Sequence, residues 1–169
     1  DGSTSGVMDL TQVPFVTIDG KDARDFDDAV YCRQAPDGFD LDVAIADVSR
    51  WVECDSALDD AARERGNSVY LPGHVVPMLP ELLSNDLCSL NPGEVRFALV
   101  CRMKLTHQGK IDYYEFVEAR IQSAGRLTYE DVSEFLEQPD SALLDESLAV
   151  RESLTALDTV SSQFLSQRR

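Results

Sequence analysis

Histidine is nearly missing from this chain, which has only His74 and His107. Its four cysteines, Cys32, Cys54, Cys88 and Cys101, include no CxxC pair. Both facts argue against a zinc finger, whose ligand sets need closely spaced cysteines and histidines. Free thiols in a reducing compartment are the simpler reading, and a cytoplasmic location is expected. No apolar run is long enough to span a membrane, and no basic segment leads into an apolar one as in a signal peptide. No membrane partner is expected. Positive charge is also short: 15 Lys and Arg stand against 31 Asp and Glu, a formal net charge of -16. Alone, that opposes a general affinity for nucleic acid, which needs cations against phosphate. No internal repeat or low-complexity segment is present.

What the chain does have is a concentration of acid in one place. Thr17-Ile-Asp-Gly-Lys-Asp-Ala-Arg-Asp-Phe-Asp-Asp-Ala29 puts Asp19, Asp25, Asp27 and Asp28 between two short segments rich in β-branched and aromatic residues. Those flanks read as buried strands, so the acids stand at the edge of a core. There, like charges repel and desolvation is costly unless a cation compensates. Carboxylate oxygens suit a hard ion such as Mg²⁺ or Mn²⁺. Such ions can activate water and neutralise charge on a phosphate in flight. The spacing does not fit an EF-hand loop, which disfavours a structural calcium site. No serine–histidine or cysteine–histidine pair accompanies the cluster, so covalent catalysis has no support. From spacing alone, a salt-bridge and cap network with Lys21 and Arg24 stands level with a metal role.

The remaining chain reads as α+β, with a mixed, mostly antiparallel sheet flanked by helices. Residues 1–13 are expected to be a flexible lead-in. Residues 29–33 and 39–48 form a hairpin around a Pro-Asp-Gly turn. Asp47 is expected to act as a turn or cap acid. A capping-box pattern at 56–59 opens a helix over 57–65 that Gly66 closes. Residues 67–92 carry several prolines and no helical period, and are expected to run over the sheet as an ordered loop. Residues 96–105 and 111–123 alternate as a second hairpin, with His107 exposed in its turn. A second capping box at 128–131 opens a helix to about 136, and a helical period recurs over 144–165.

Several blocks carry a resemblance. The acidic stretch, Val43-Ala-Ile-Ala-Asp-Val-Ser49, Arg65-Gly-Asn-Ser-Val-Tyr-Leu-Pro72, Pro77-Met-Leu-Pro80, Leu83-Ser-Asn-Asp-Leu-Cys-Ser-Leu-Asn-Pro92 and Arg126-Leu-Thr-Tyr129 occur in that order. Together they resemble the RNB family of ribonuclease II and ribonuclease R exoribonucleases. The Gly-Lys-Asp-Ala-Arg-Asp-Phe wording of the loop is nearest the ribonuclease R type. The resemblance implies 3′→5′ processive hydrolysis of single-stranded RNA to nucleoside 5′-monophosphates with Mg²⁺. Asp19, Asp25, Asp27 and Asp28 would then surround the metal, with Asp27 the most critical to chemistry and Asp25 supporting it. Tyr70 would stack on the 3′-terminal base, as a sequence-tolerant contact must. Without the resemblance, Tyr70 reads as a core aromatic.

The resemblance also implies a partial catalytic domain over 14–169, truncated at its C-terminal end. A later arginine and a further acid of the family's site have no counterpart here, nor do its cold-shock and S1 domains. A chain of this extent is then expected to be inactive or weakly active alone, with much of the cationic RNA surface elsewhere. The rival from another class is a non-catalytic RNA- or protein-binding module of the same fold.

Overall fold

A computed structural model describes residues 6–71, 74–138 and 147–167. Its centre is β4 (Gly38–Ala46), paired on one side with β3 (Asp28–Ala35) and on the other with β7 (Val95–Thr106), both antiparallel. β4 alternates Phe39, Leu41 and Val43 toward one face with Ala44 and Ala46 toward the other. A strand apolar on both faces must be central, as the sequence indicated. Pro36-Asp37 makes the β3–β4 turn. Gly38 closes it at φ +148°, where a β-carbon would lie 1.9 Å from the Leu105 carbonyl oxygen. Only glycine lets β7 approach so closely.

Among the described residues the sheet has seven strands, in the order β1 (Met8–Leu10), β8 (Ile111–Gln122), β7, β4, β3, β2 (Val16–Asp19) and β9 (Gly125–Thr128). β7 and β8 form a long hairpin, and β2 pairs antiparallel with β3. The two outermost pairings are parallel: β1 on β8, and β9 on β2. The fold is therefore α+β around a mixed, mostly antiparallel sheet.

Met8–Leu10 departs from the flexible lead-in expected over 1–13. The segment pairs with Ala119, Arg120 and Ile121, and Leu10 is buried. Three residues are too few to show a strand period, and the pairing is non-local. Residues 1–5 lie outside the described residues.

Helices cover one face. α2 (Tyr129–Glu137) opens on a complete capping box between Thr128 and Asp131. α3 (Leu148–Gln167) lays Val150, Leu154, Ala156 and Val160 against β3 and β4. Each fully buried Val or Leu there contributes roughly 1.5–3 kcal/mol. β2 meets β3 in register only at Val16 and Val30, so β3 has an uncovered edge beyond it. α3 covers that edge, and the Cys32 N–H donates to Ser153 Oγ at 2.9 Å. The expected start of this helix at Leu144 lies outside the described residues.

The opposite face packs Phe15, Phe26, Ala29, Ala98, Val100 and Ile121 with Leu83, Cys88 and Leu90. Leu58 of α1 (Ala57–Arg65) joins it. Ser56 caps α1, accepting from the Asp59 N–H at 3.2 Å. The box there is only half made, because the Asp59 carboxylate accepts from the Asp55 N–H instead.

The 67–92 stretch departs from expectation only in its first part, since Leu79, Leu83, Leu87, Cys88 and Leu90 do pack on the main sheet. β5 (Val69–Leu71) and β6 (His74–Val76) form a separate two-stranded sheet whose side chains are all exposed. It stands off the main sheet instead of running over it. The chain then makes a π-helical turn over Leu83–Leu87, which buries Leu83.

Candidate functional site

β2 ends at Asp19 and β3 begins at Asp28, so the sheet delivers two acids to one end of adjacent strands. Asp19 is in register with Thr128 of β9, the residue that caps α2. Between Asp19 and Asp28 the chain turns at 20–24, held by one backbone bond from the Ala23 N–H to the Gly20 carbonyl at 3.0 Å. Phe26 is the anchor of the loop. Its ring is buried, its N–H donates to the buried Ser89 Oγ at 3.1 Å, and its carbonyl accepts from the Leu90 N–H at 2.7 Å. With Phe26 drawn into the core, its neighbours Asp25 and Asp27 are left toward the solvent side. The Asp27 carbonyl accepts from the Ala46 N–H at 2.8 Å, which ties the loop to the end of β4.

The four acids meet little compensation. Burial foremost raises the Asp19 carboxyl above its usual range, and Asp28, Asp27 and Asp25 add to the rise while Arg126 opposes it. Asp28 is raised by partial desolvation and then by Asp27. Asp19 Oδ2 is buried and, among the described residues, has no hydrogen-bond donor. Among the described residues no ion pair joins any of the four to Lys21, Arg24 or another cation. The salt-bridge network that spacing left open is thus not what these residues form.

A negatively charged cluster with an orphaned carboxylate oxygen is a donor set fitted to a hard cation. The fit is loose: no three of the four offer oxygens within 4.8 Å of one another. Asp19, Asp25, Asp27 and Asp28 are the residues that could hold an ion there.

Tyr70 reaches this cluster from β5. Its hydroxyl donates to Asp25 Oδ2. That bond, with burial and the charges of Asp25, Asp27 and Asp19, pushes the phenol up to about 12, so it stays a donor at neutral pH. The residue is 61% exposed. A core aromatic is therefore not what Tyr70 is; it presents an open π-face beside the acids. Arg65 fixes the base of this hairpin by donating to the Pro77 and Met78 carbonyls, each at 3.2 Å. Ser68 Oγ adds a bond from the Met78 N–H at 2.9 Å.

Other sequence expectations can be placed. Asp47 accepts from Ser49 Oγ at 2.5 Å and Arg50 Nε at 3.0 Å, the turn role expected of it. His107 is exposed. All four cysteines are free, and burial pushes the Cys32 thiol up to about 12. Cys54, Asp55 and Asp59 converge more tightly than the four aspartates, but Arg63 already lies on them, 2.7 Å from Asp59. An internal guanidinium occupies that cluster.

Sequence reasoning passed over the residues that shape the loop: Phe26, Ser89 and Arg126. The Arg126 guanidinium lies 4.8 Å over the Phe26 ring and donates to the Lys21 and Ala23 carbonyls at 2.8 and 3.2 Å. Arg126 was visible only as part of a motif, with nothing local to say what it touches.

Known proteins share this sequence and this fold. Residues 7–169 match the RNB domain family. Ribonuclease R of Vibrio parahaemolyticus is 58% identical over 133 residues, 78% of this chain and 16% of that protein. The structure of Mycoplasma genitalium RNase R in complex with double-stranded RNA superposes at TM-score 0.93 and 40% identity. That match covers 99% of this chain and 30% of that one. Yeast Ssd1, described as a pseudonuclease, shares the fold at TM-score 0.80 and 22% identity, over 98% of this chain and 20% of its own. The chain thus spans between about a sixth and a third of the length of these proteins. Its acidic loop, its sheet and its relatives agree, and the chain belongs to the RNB domain family.

Proposed function

We propose that the whole protein carrying this chain is a 3′→5′ exoribonuclease that hydrolyses single-stranded RNA processively to nucleoside 5′-monophosphates. The observation that carries this reading is the uncompensated acid at Asp19–Asp28, with a buried, partnerless Asp19 oxygen and an exposed tyrosine ring beside it. Mg²⁺ is the ion that suits such a set, and Mn²⁺ fits equally by ligand chemistry. A bound divalent ion would supply Lewis-acid polarisation and charge neutralisation at the scissile phosphate.

The chain's own residues do the rest. Asp19 and Asp28 present carboxylates from fixed strand ends. Asp27, on the loop between Phe26 and β3, is assigned the role most critical to chemistry, and Asp25 supports it while accepting the Tyr70 hydroxyl. Tyr70 offers its face to the terminal base, a contact indifferent to sequence. RNase R of M. genitalium has been solved with double-stranded and with ribose-methylated single-stranded RNA, which supports RNA as the ligand class here. The cytoplasm is the proposed setting, in keeping with four free thiols.

The test is Asp27→Asn in the whole protein, with end-labelled single-stranded RNA and Mg²⁺. Turnover is expected to fall on the order of 10³-fold, about 4 kcal/mol of barrier, with RNA binding changed less than about threefold, under 1 kcal/mol. Retained turnover overturns the assignment. A non-catalytic module of the same fold is the second reading, since a pseudonuclease shares this architecture. Wild-type protein that binds RNA and leaves it intact would establish it.

A further inference from the structure

Arg126 stands on β9, the strand beside β2, with Thr17 as its partner in register and Asp19 two residues further along β2. Its side chain is exposed, and among the described residues it forms no ion pair with an acid. It engages the acidic loop by other means. One guanidinium nitrogen donates to the Lys21 carbonyl at 2.8 Å and to the Ala23 carbonyl at 3.2 Å. Its Cζ lies 4.8 Å from the Phe26 ring centroid, on the ring's face. Phe26 is itself fixed by Ser89 and Leu90, so Arg126 ties a free turn to an anchored one. Without Arg126, the 20–24 turn keeps one backbone bond, Ala23 to Gly20, among the described residues.

We propose that Arg126 is the positioning residue of the acidic loop, clamping the 20–24 turn against Phe26 so that Asp19 stands at a set distance from Asp25, Asp27 and Asp28. The proposal rests on the reading of those acids as the hydrolytic site. Arginine is the residue the position requires. Two carbonyls and an aromatic face within reach of one head group suit a charged group that is both a donor and flat. Lysine can donate to the carbonyls but has no plane to lay on Phe26. The acids are otherwise held in unlike ways, Asp19 by a strand and Asp25 and Asp27 by a loop. The 20–24 turn joins the two, so its drift pulls on Asp19 from one side and Asp25 from the other, and displacements near 1 Å are enough to cost about 100-fold in rate.

The experiment uses Arg126→Ala and Arg126→Lys in the whole protein, with three readouts. Amide hydrogen exchange over 20–27, in chelator, is expected to quicken at least about tenfold in Arg126→Ala, with the β7–β8 hairpin unchanged. Turnover of single-stranded RNA is expected to fall about 10- to 100-fold, the range for partners that orient ligands, while the RNA concentration for half-saturation shifts less than about threefold. Arg126→Lys is expected to fall between wild type and Arg126→Ala in both. Unchanged exchange over 20–27 overturns the clamp, and so does quickened exchange with turnover intact. A loss confined to RNA affinity, with a shallower salt dependence, would make Arg126 a phosphate contact and also overturn it. If the wild-type protein does not cleave RNA, the functional reading fails, and exchange alone decides the clamp. Quickened exchange then supports it, and retained protection overturns it.

Discussion

Asp19 and Asp28 are held where their ionised forms are disfavoured, by partial desolvation first and by neighbouring carboxylates second, although Asp28 is itself exposed to solvent. Their folded-state pKa values therefore lie above the unfolded value near 3.8. The sign follows from proton linkage. Between 3.8 and the raised values the folded state binds more protons, so stability falls as pH rises through that window. The penalty is complete above the raised values and absent below 3.8. Replacing one acid with its amide should relieve it. In chelator at pH 7, Asp28→Asn is expected to melt about 2–4 °C higher than wild type. That corresponds to about 1 kcal/mol, the order of one like-charge contact in high dielectric. Near pH 3.8 and below, the gain should vanish, and millimolar Mg²⁺ should reverse the order by stabilising wild type more. Thermal melts across pH and ion concentration check this; no gain in chelator would mean the cluster is not mutually repulsive. Stability sacrificed for a charged constellation is the pattern of a functional site.

The acids were legible at the residue scale because charge crowding between two apolar segments is a local signal. Tyr70 was legible only through the resemblance, since the contact that explains it spans 45 residues.

Among the elements, both long hairpins and the capped helices were readable, because alternation, turn chemistry and capping are written locally. β1 and β9 were not. They have three and four residues, and both join the sheet by parallel pairing to distant strands. β9 matters most, since it delivers Arg126 to the acidic loop. The β5–β6 hairpin was missed because its prolines mask a short exposed pairing.

α3 also has a role that its periodicity does not reveal. Ser153 is 1% exposed and accepts from the Cys32 N–H, on an edge of β3 that no strand covers among the described residues. Ser153→Ala would leave that buried donor without a partner, at a cost of about 1–3 kcal/mol. Chemical denaturation should show a lowered midpoint with an unchanged slope; an unchanged midpoint would mean that the hydroxyl does not hold the helix to the strand.

At the scale of the whole molecule, a net charge of -16 and the proposed RNA substrate are at odds unless cations intervene. The acidic loop supplies the place for one class of cation, and the relatives' greater length leaves room for cationic surface elsewhere in the whole protein. Neither composition nor spacing could join these facts; the joining came from ordered motifs and from the pairing of β2 with β9. Ion binding at this loop is the point on which the account turns. Its most direct test is calorimetric titration of Mn²⁺ into the whole protein holding a phosphorothioate single-stranded RNA that resists cleavage. Wild type is expected to bind in or below the millimolar range, and Asp19→Asn and Asp28→Asn to bind at least about tenfold more weakly, about 1.4 kcal/mol each. Equal Mn²⁺ affinity in wild type and both variants would contradict it.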